Sequence, residues 1–203
     1  MSDRTGTKVR AGITISLDGY VAGPNDGPGR GLGDGGERLH HWVFGGPWTY
    51  DDDSGGEASG EDREFMDRSQ ANVGAVIGGR NTYEAGEAWG GTNPFPVPFF
   101  IVTHRTEDAP PPDTGFEFVD GLDEAIERAA AAAGRKDVFV MGGADLIRQV
   151  LRAGVVEELS ISIAPVVLGS GRRLFEPDDR SIELEHVGVL QSPWATHITY
   201  RVT

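Results

Sequence analysis

Apolar residues recur along the chain in patterns that predict strands separated by helices. Residues 9–17 alternate between apolar and polar or small side chains, which is typical of a strand with one wetter face. Short continuous apolar runs predict buried strands at residues 75–77, 98–102, 116–119 and 138–141. Helical spacing, with a cap at Ser59 for the first helix and at Gly134 for the third, predicts helices at residues 59–72, 80–89, 122–133 and 146–151.

The pattern changes after Gly154, where strands follow one another without helices between them. Residues 159–163 alternate, the chain continues extended to residue 168, and strands are predicted at residues 182–190 and 196–202. Strands that alternate with helices favour a parallel sheet covered on both faces. The sequence therefore predicts an α/β fold: a three-layer α/β/α domain whose mostly parallel central sheet is finished by antiparallel C-terminal strands.

A Gly-rich and Asp-rich insertion at about residues 23–60 interrupts this pattern within a single domain of residues 1–203. Its composition buries little apolar surface and favours a loop, apart from a short apolar and aromatic piece at residues 39–44. Its aromatic side chains have two interpretations: they stack on a flat heterocycle as a lid, or they form a small core beneath the loop. These side chains are Trp42, Phe44, Trp48 and Tyr50.

Charge and composition narrow the class of ligand. The chain has 203 residues and a formal net charge of −14, which disfavours nucleic-acid and membrane-surface partners and favours a small-molecule substrate. The absence of cysteine excludes disulfides and thiolate metal sites. Residues 1–8 are polar, unlike a signal peptide, and no apolar stretch is long enough to span a bilayer, so a cytoplasmic protein is predicted. The acidic run at residues 51–64 is interpreted as solvated surface, and no metal site is predicted.

Three loops that follow predicted strands carry groups suited to a diphosphate. Two are strand-to-helix turns with a glycine pair, where backbone N–H groups face outward and the helix dipole favours an anion. The third offers a hydroxyl and two potentially cationic side chains after the strand at 98–102. No G-x-G-x-x-G follows a predicted strand, and no Walker P-loop motif is present, so another dinucleotide fold is required. The candidate residues are Gly79, Arg80, Asn81 and Thr82 in the first turn, Gly142, Gly143, Ala144, Asp145 and Leu146 in the second, and Thr103, His104 and Arg105 in the third loop.

The order of four motifs resembles the dihydrofolate reductase-like fold and, within it, reductases related to the C-terminal domain of the riboflavin-biosynthesis deaminase-reductase. The motifs are SLDGYVA at 16–22, AVIGGRNTYE at 75–84, FVMGGA at 139–144 and IAPVVLGSG at 163–171. The resemblance covers nearly all of residues 9–202. It implies NADPH as cofactor, with residues 80–82 and 142–146 on the pyrophosphate side and Arg105, with Thr103 or His104, near the 2′-phosphate. It also implies a homodimer formed through the late strands.

Two departures from the riboflavin reductases bear on the substrate. Those enzymes carry an acid immediately before the second glycine pair and an aspartate four residues after the threonine of the first turn, where this chain has Met141 and Gly86. A different or broader substrate is therefore expected. The zinc deaminase that accompanies those reductases needs cysteines that this chain lacks.

The resemblance implies direct hydride transfer, without metal or flavin, to a small planar nitrogen heterocycle, which also requires a proton donor. Asp62 matches the substrate-binding acid of dihydrofolate reductases, although a carboxylate there also stabilises a first helical turn. Asp18 is the second candidate, with a turn residue as the alternative interpretation. A true dihydrofolate reductase and a non-catalytic NADPH-binding sensor dimer are the rival functions.

Overall fold

The fold described below is that of a computed structural model. It covers residues 6–52, 55–177 and 179–203. Met1 to Thr5, which belong to the polar N-terminal stretch, and Asp53 in the acidic run therefore lie outside the described residues.

The helices and strands follow the predicted order. The strands are β1 (Val9–Ser16), β2 (Tyr20–Ala22), β3 (Val73–Gly79), β4 (Phe99–Val102), β5 (Phe116–Val119), β6 (Asp137–Met141), β7 (Glu158–Ala164), β8 (Arg172–Arg173), β9 (Leu184–Gln191) and β10 (Thr196–Val202). The helices are α1 (Gly60–Gln70), α2 (Arg80–Ala85), α3 (Ala88–Gly91), α4 (Leu122–Ala133) and α5 (Ala144–Arg152). Residues 165–168, predicted to be extended, form an irregular connection after β7.

The central sheet confirms the predicted fold class. Its eight strands run in the order β5-β4-β3-β6-β1-β7-β10-β9. The pairs from β5 to β7 are parallel, whereas β10 pairs antiparallel with both β7 and β9. The sequence did not predict a second, two-stranded sheet, in which β2 pairs antiparallel with β8.

Hydrophobic side chains pack on both faces of this sheet. One face is covered by α4 and α5, whose apolar stripes join the odd-numbered residues of β1 in the larger core. On the other face, a second cluster centred on Phe99 packs beneath α2 and α3. The carboxyl ends of β3, β6 and β1 therefore meet at one edge between two packed layers, where α/β sheets commonly bind ligands.

The helix predicted for residues 80–89 ends earlier than expected. It stops at Ala85, and Glu87, Ala88 and Trp89 adopt left-handed φ angles of 48°, 51° and 49°. Three consecutive non-glycine residues in this region carry steric strain. The packing of Trp89 against Phe99, with 5.4 Å between ring centroids, holds the chain in this path.

The insertion folds as a compact loop that reaches the end of α2. The amide of Gly23 donates to the Leu32 carbonyl at 2.8 Å, which closes the loop on itself. A Cβ atom placed on Gly31 would lie 2.6 Å from the Ala85 carbonyl oxygen, so the two backbones touch there. The first half of the insertion thus spans the distance from β2 to α2.

The aromatic residues of the insertion match the small-core interpretation. Trp42 is 9% exposed and packs edge-on against Phe65 of α1. Phe44, Trp48 and Tyr50 form a chain of ring contacts, with centroids 4.7 and 5.2 Å apart. The Tyr50 hydroxyl accepts a hydrogen bond from the Leu32 amide at 2.7 Å, which ties this cluster to the loop above it.

Strand β9 lies at one edge of the central sheet and exposes apolar side chains. Leu184, Val187 and Val189 are 41%, 51% and 49% exposed. Its pairing with β10 is interrupted by a register shift between Thr199 and Tyr200.

Across the described residues, no helix has both the length and the hydrophobicity needed to cross a membrane.

Candidate active site

The two predicted glycine turns lie side by side at the carboxyl edge of the sheet. Strands β3 and β6 are parallel neighbours, with Gly78 opposite Met141, so both turns leave the sheet at the same level. A Cβ atom on Gly143 would lie 3.3 Å from Thr82 Oγ1, and one on Gly79 would lie 3.8 Å from Leu146 Cβ. A side chain at Gly143 would therefore fill space beside the Thr82 hydroxyl. This glycine-lined surface suits a ligand that lies against the backbone.

The guanidinium groups of Arg80 and Arg105 meet at Glu84 on α2. Arg80 Nε donates to Glu84 Oε1 at 2.7 Å, and an Nη2 group of Arg105 donates to the same oxygen at 3.0 Å. Arg80 Nη2 also donates to Asp108 Oδ2 at 3.3 Å. The sequence separated the two arginines between two parts of the cofactor, whereas the structure places both guanidinium groups around one carboxylate.

The Arg80 side chain carries an unused donor group. Its Nη1 atom is buried and has no hydrogen-bond partner among the described residues. An unpaired buried donor costs about 1–3 kcal/mol, and more when the group is charged. The Phe118 ring, whose centroid lies 4.9 Å from Arg80 Cζ, holds the guanidinium from one side. The neighbouring Arg105 side chain is 57% exposed, so the guanidinium pair offers donors that a phosphate can reach, and the residues present fit the phosphate-bearing cofactor that the resemblance implies.

The other predicted binding residues contribute in different ways. Thr103 is buried, and its hydroxyl accepts a hydrogen bond from the Arg105 amide at 3.1 Å, which fixes the start of that loop. His104 is 89% exposed and pairs with Asp120 at 2.6 Å. Ala144 and Leu146 point into the core, so only their backbone faces the turn. Asn81 and Asp145 lie on the exposed surface at the starts of α2 and α5.

Asp18 locks two loops together at the end of β1. Its carboxylate accepts hydrogen bonds from the Gly169 amide at 2.7 Å, the Leu168 amide at 3.1 Å and the Ser16 hydroxyl at 2.7 Å. Desolvation raises the pKa of this carboxyl, but the three hydrogen bonds outweigh it and lower the pKa to about 2. A carboxyl that is ionised at neutral pH and bonded to the backbone is suited to positioning a loop rather than to donating a proton.

Asp62 begins a buried chain of polar side chains. It is 2% exposed, and its Oδ1 lies 2.8 Å from Nε2 of His197 on β10. The Nδ1 atom of His197 lies 2.8 Å from the hydroxyl of Ser162 on the neighbouring strand β7. Phe65 stacks on the His197 ring at 4.1 Å between centroids, and Trp42 closes its edge at 4.9 Å. His197 and Ser162 were not among the functional residues predicted from the sequence.

The protonation state of His197 follows from this burial. Burial lowers the pKa of the imidazole, and the Asp62 carboxylate partly offsets that effect. We therefore assign a neutral ring at pH 7. A neutral imidazole donates from one nitrogen and accepts at the other, so with Nε2–H donating to Asp62 Oδ1, Nδ1 accepts from the Ser162 hydroxyl.

Acidification is expected to destabilise the fold through His40 and His197. Burial lowers the pKa of His40 to about 4, and it also lowers the pKa of His197. Since the unfolded chain binds protons with a pKa near 6.5, stability is full above that pH and falls as pH decreases towards the folded pKa. Each group contributes a slope of at most about 1.4 kcal/mol per pH unit. Urea unfolding at pH 7.5, 6 and 5 measures this loss.

The variant His40→Gln provides the matched comparison for that slope. Glutamine cannot take up the proton, so the pH dependence of the unfolding free energy is expected to flatten between pH 6.5 and about 4. An unchanged slope in His40→Gln would show that the folded protein accommodates the charged ring without cost.

A groove of about 430 Å³ lies away from the glycine turns. Its lining includes Arg10, Asp137 and Glu158 at the amino ends of the parallel strands. Arg10 bonds Glu158 at 3.1 Å and Asp137 at 3.4 Å, so its charge is already paired. We place the candidate cofactor site at the opposite edge, because the guanidinium pair and the glycine-lined surface both lie there, whereas Phe65 and His197, which contact the groove, lie beside Asp62.

The acidic run is divided in the part of the chain that the structure describes: Asp62 is buried, whereas the other described acidic residues of the run lie at the surface. Asp51 and Glu57 are exposed, and Glu57 pairs with Arg63 at 3.0 Å. Among residues 6–52, 55–177 and 179–203, no group of three or more His, Cys, Asp or Glu side chains is arranged to hold a metal ion.

The chain is similar in sequence to two curated proteins and similar in fold to several solved structures. The chain is 28% identical over 188 residues to the uncharacterized protein YwjB of Bacillus subtilis, covering 93% of this chain and 94% of YwjB. A 38% identical match to YyaP of the same organism spans 36% of that protein and 34% of this chain. A candidate riboflavin biosynthesis protein from Shewanella sp. PV-4 superposes with a TM-score of 0.70 at 20% identity, covering 97% of this chain and 99% of that one.

A second solved structure with the same fold was determined with a nicotinamide cofactor bound. Dihydrofolate reductase from Enterococcus faecalis, complexed with NADP(H), has a TM-score of 0.62 at 14% identity and covers 98% of this chain and 97% of its own. These structural matches confirm the dihydrofolate reductase-like fold. The family model of the RibD C-terminal domain matches residues 7–197. The chain therefore belongs to the RibD C-terminal domain family.

Proposed function

We propose that this protein is an NADPH-dependent reductase of a small planar nitrogen heterocycle. The observation that carries the proposal is the pair Arg80 and Arg105, with an unsatisfied buried donor, next to two glycine turns on neighbouring strands. The Enterococcus dihydrofolate reductase, which shares the fold, is described with NADP(H) bound, and this supports the same cofactor here.

The chain's own residues divide between two phosphate-bearing parts of the cofactor, the pyrophosphate bridge and the 2′-phosphate. The backbone at Gly79, Gly142 and Gly143 would hold the pyrophosphate, with the Thr82 hydroxyl beside it. Arg80 and Arg105 would hold the 2′-phosphate, because their forked donors suit a phosphate dianion. This assignment differs from the one that the resemblance implies, in which Arg80 lies on the pyrophosphate side. When bound, NADPH supplies the hydride, and the protein supplies orientation and a proton.

Asp62 remains our candidate acid, and we assign Asp18 a positioning role. Asp62 lies in the first turn of α1, His197 of β10 contacts its carboxyl, and Ser162 of β7 holds the other ring nitrogen of His197. Asp18 instead holds the connection after β7 against the end of β1. This placement of Asp62 also favours the second candidate function, a true dihydrofolate reductase, which turnover of dihydrofolate would reveal.

Calorimetric titration with NADPH and NADH tests the cofactor assignment. We expect both to bind and NADPH to bind more tightly, because only NADPH carries the 2′-phosphate. In Arg105→Ala the preference for NADPH should narrow, since a hydrogen bond to a charged group contributes about 1.5–3 kcal/mol and exposure reduces this. Equal losses for both cofactors would contradict the placement of Arg105. Binding without oxidation of NADPH over a broad substrate panel would favour the sensor function.

The homodimer and the cytoplasmic location stay predictions. The exposed apolar side chains Leu184, Val187 and Val189 on β9 favour a partner along the late strands.

A further inference from the structure

Four charged side chains form a closed cluster where the 2′-phosphate would bind. This counter-ion cluster consists of Arg80, Glu84, Arg105 and Asp108. One oxygen of Glu84 bonds both guanidinium groups, at 2.7 and 3.0 Å. Asp108 Oδ2 lies 3.3 Å from Arg80 Nη2 and 3.9 Å from Arg105 Nε. The two positive and two negative formal charges cancel.

Because its formal charges cancel, the counter-ion cluster attracts a phosphate less strongly than two unpaired arginines would. A phosphate monoester carries a charge of about −1.5 to −2 at neutral pH, and it binds through the same N–H donors that the two carboxylates now occupy. A phosphate that enters must therefore either displace the carboxylates of Glu84 and Asp108 from the arginines or bind against their electrostatic repulsion. A dinucleotide without the 2′-phosphate meets no such competition.

Glu84 is the stronger competitor of the two carboxylates. It lies one helical turn after Arg80 on α2, the spacing at which a glutamate and an arginine pair directly. Its bonds to the arginines are shorter than those of Asp108, and it contacts both guanidinium groups through one oxygen. Asp108 comes instead from a short 3-10 turn, Thr106–Asp108, and is 45% exposed.

Arg80 does not depend on Glu84 for its position. The Arg80 side chain is 17% exposed and rests on the Phe118 ring, and Asp108 holds its Nη2 group. Neutralising Glu84 would thus remove a competing charge while leaving the guanidinium in place.

We propose that Glu84 sets the cofactor preference of this protein by competing with the 2′-phosphate for Arg80 and Arg105. The proposal rests on the proposed function, because it assigns a specificity-determining role within the same cofactor site. It implies that the wild-type protein discriminates between NADPH and NADH less than two arginines alone would allow.

The test is calorimetric titration of Glu84→Gln with NADPH and with NADH, beside the wild-type protein. Glutamine keeps the shape of the side chain and removes its charge. We expect NADPH to bind about fivefold to tenfold more tightly, the scale of one partly screened charge pair, while NADH affinity changes by less than about twofold. Asp108→Asn should move NADPH affinity in the same direction by a smaller factor. Glu107→Gln is the matched control, because it removes the same charge from an exposed neighbouring residue.

The outcomes separate this inference from the proposed function. If the wild-type protein binds both cofactors and Glu84→Gln leaves their ratio unchanged, the competition model is wrong and the reductase proposal stands. If Glu84→Gln weakens NADPH binding, Glu84 positions the arginines and does not oppose the phosphate. If an equal gain appears in Glu107→Gln, the effect comes from net charge alone. If neither cofactor binds the wild-type protein, the proposed function and this inference fall together.

Discussion

Replacing Arg80 with alanine is expected to weaken NADPH binding by about 1.5–3 kcal/mol, the range for hydrogen bonds to a charged group. This corresponds to a dissociation constant about 10- to 150-fold higher. The loss should be large because the guanidinium is mostly buried, so solvent can replace little of its contact with a phosphate. Calorimetry with NADPH measures the change directly.

Arg135→Ala provides the control for the Arg80 variant. Arg135 is exposed beyond the end of α4, and its removal changes the net charge by the same amount. An unchanged dissociation constant in Arg80→Ala would remove this residue from the site. Equal losses in both variants would mean that the binding responds to overall charge, not to the guanidinium fork.

Replacing Asp62 with alanine is expected to lower the free energy of unfolding by about 2–4 kcal/mol. The substitution leaves the Nε2–H group of His197 buried without an acceptor, which alone costs about 1–3 kcal/mol, and it also opens a small cavity. Asp62→Asn should cost less, because an amide oxygen can still accept the hydrogen bond. Urea unfolding at pH 7.5 gives both values.

Two further variants distinguish the buried contact from a general effect of the first helical turn. Glu61→Ala removes a neighbouring carboxylate that is exposed, and it should cost less than about 1 kcal/mol. In a double-mutant cycle with His197→Leu, the loss caused by Asp62→Ala should shrink, since the orphaned donor is gone. Full additivity of the two substitutions would show that the Asp62 contact with His197 contributes little.

Most of the sheet and the glycine turns could be predicted because they depend on local signals. Residues close together in the sequence determine the alternation at 9–17 and the strand-to-helix turns after β3 and β6. The place where those turns meet follows from parallel pairing alone, so the candidate cofactor residues at Gly79 and Gly143 could be named without coordinates.

The polar chain behind Asp62 depends instead on contacts far apart in sequence. His197 is 135 residues from Asp62, and their contact requires the register of β10 against β7 and the packing of α1 over both strands. A histidine within an alternating strand gives no local sign that its side chain faces a buried carboxylate. The pairing of Ser162 with His197 is hidden for the same reason.

The counter-ion cluster could be predicted from the sequence only in part. The spacing of Arg80 and Glu84 on α2 allows an ion pair, although none was predicted from the sequence. That Arg105 joins the same carboxylate depends on side-chain conformations at the ends of two strands, which periodicity does not specify. The left-handed turn at Glu87–Trp89 was equally hidden, because aromatic packing on Phe99 overrides the helical propensity of those residues.

The exposed edge of β9 has a practical consequence for handling the protein in solution. An edge strand with apolar side chains is a template for intermolecular β-pairing, and mutual repulsion of like-charged molecules keeps such templates apart. That repulsion vanishes near the isoelectric point of about 4.7. Aggregation should therefore be most rapid in mildly acidic buffers, and purification and storage belong well above that point.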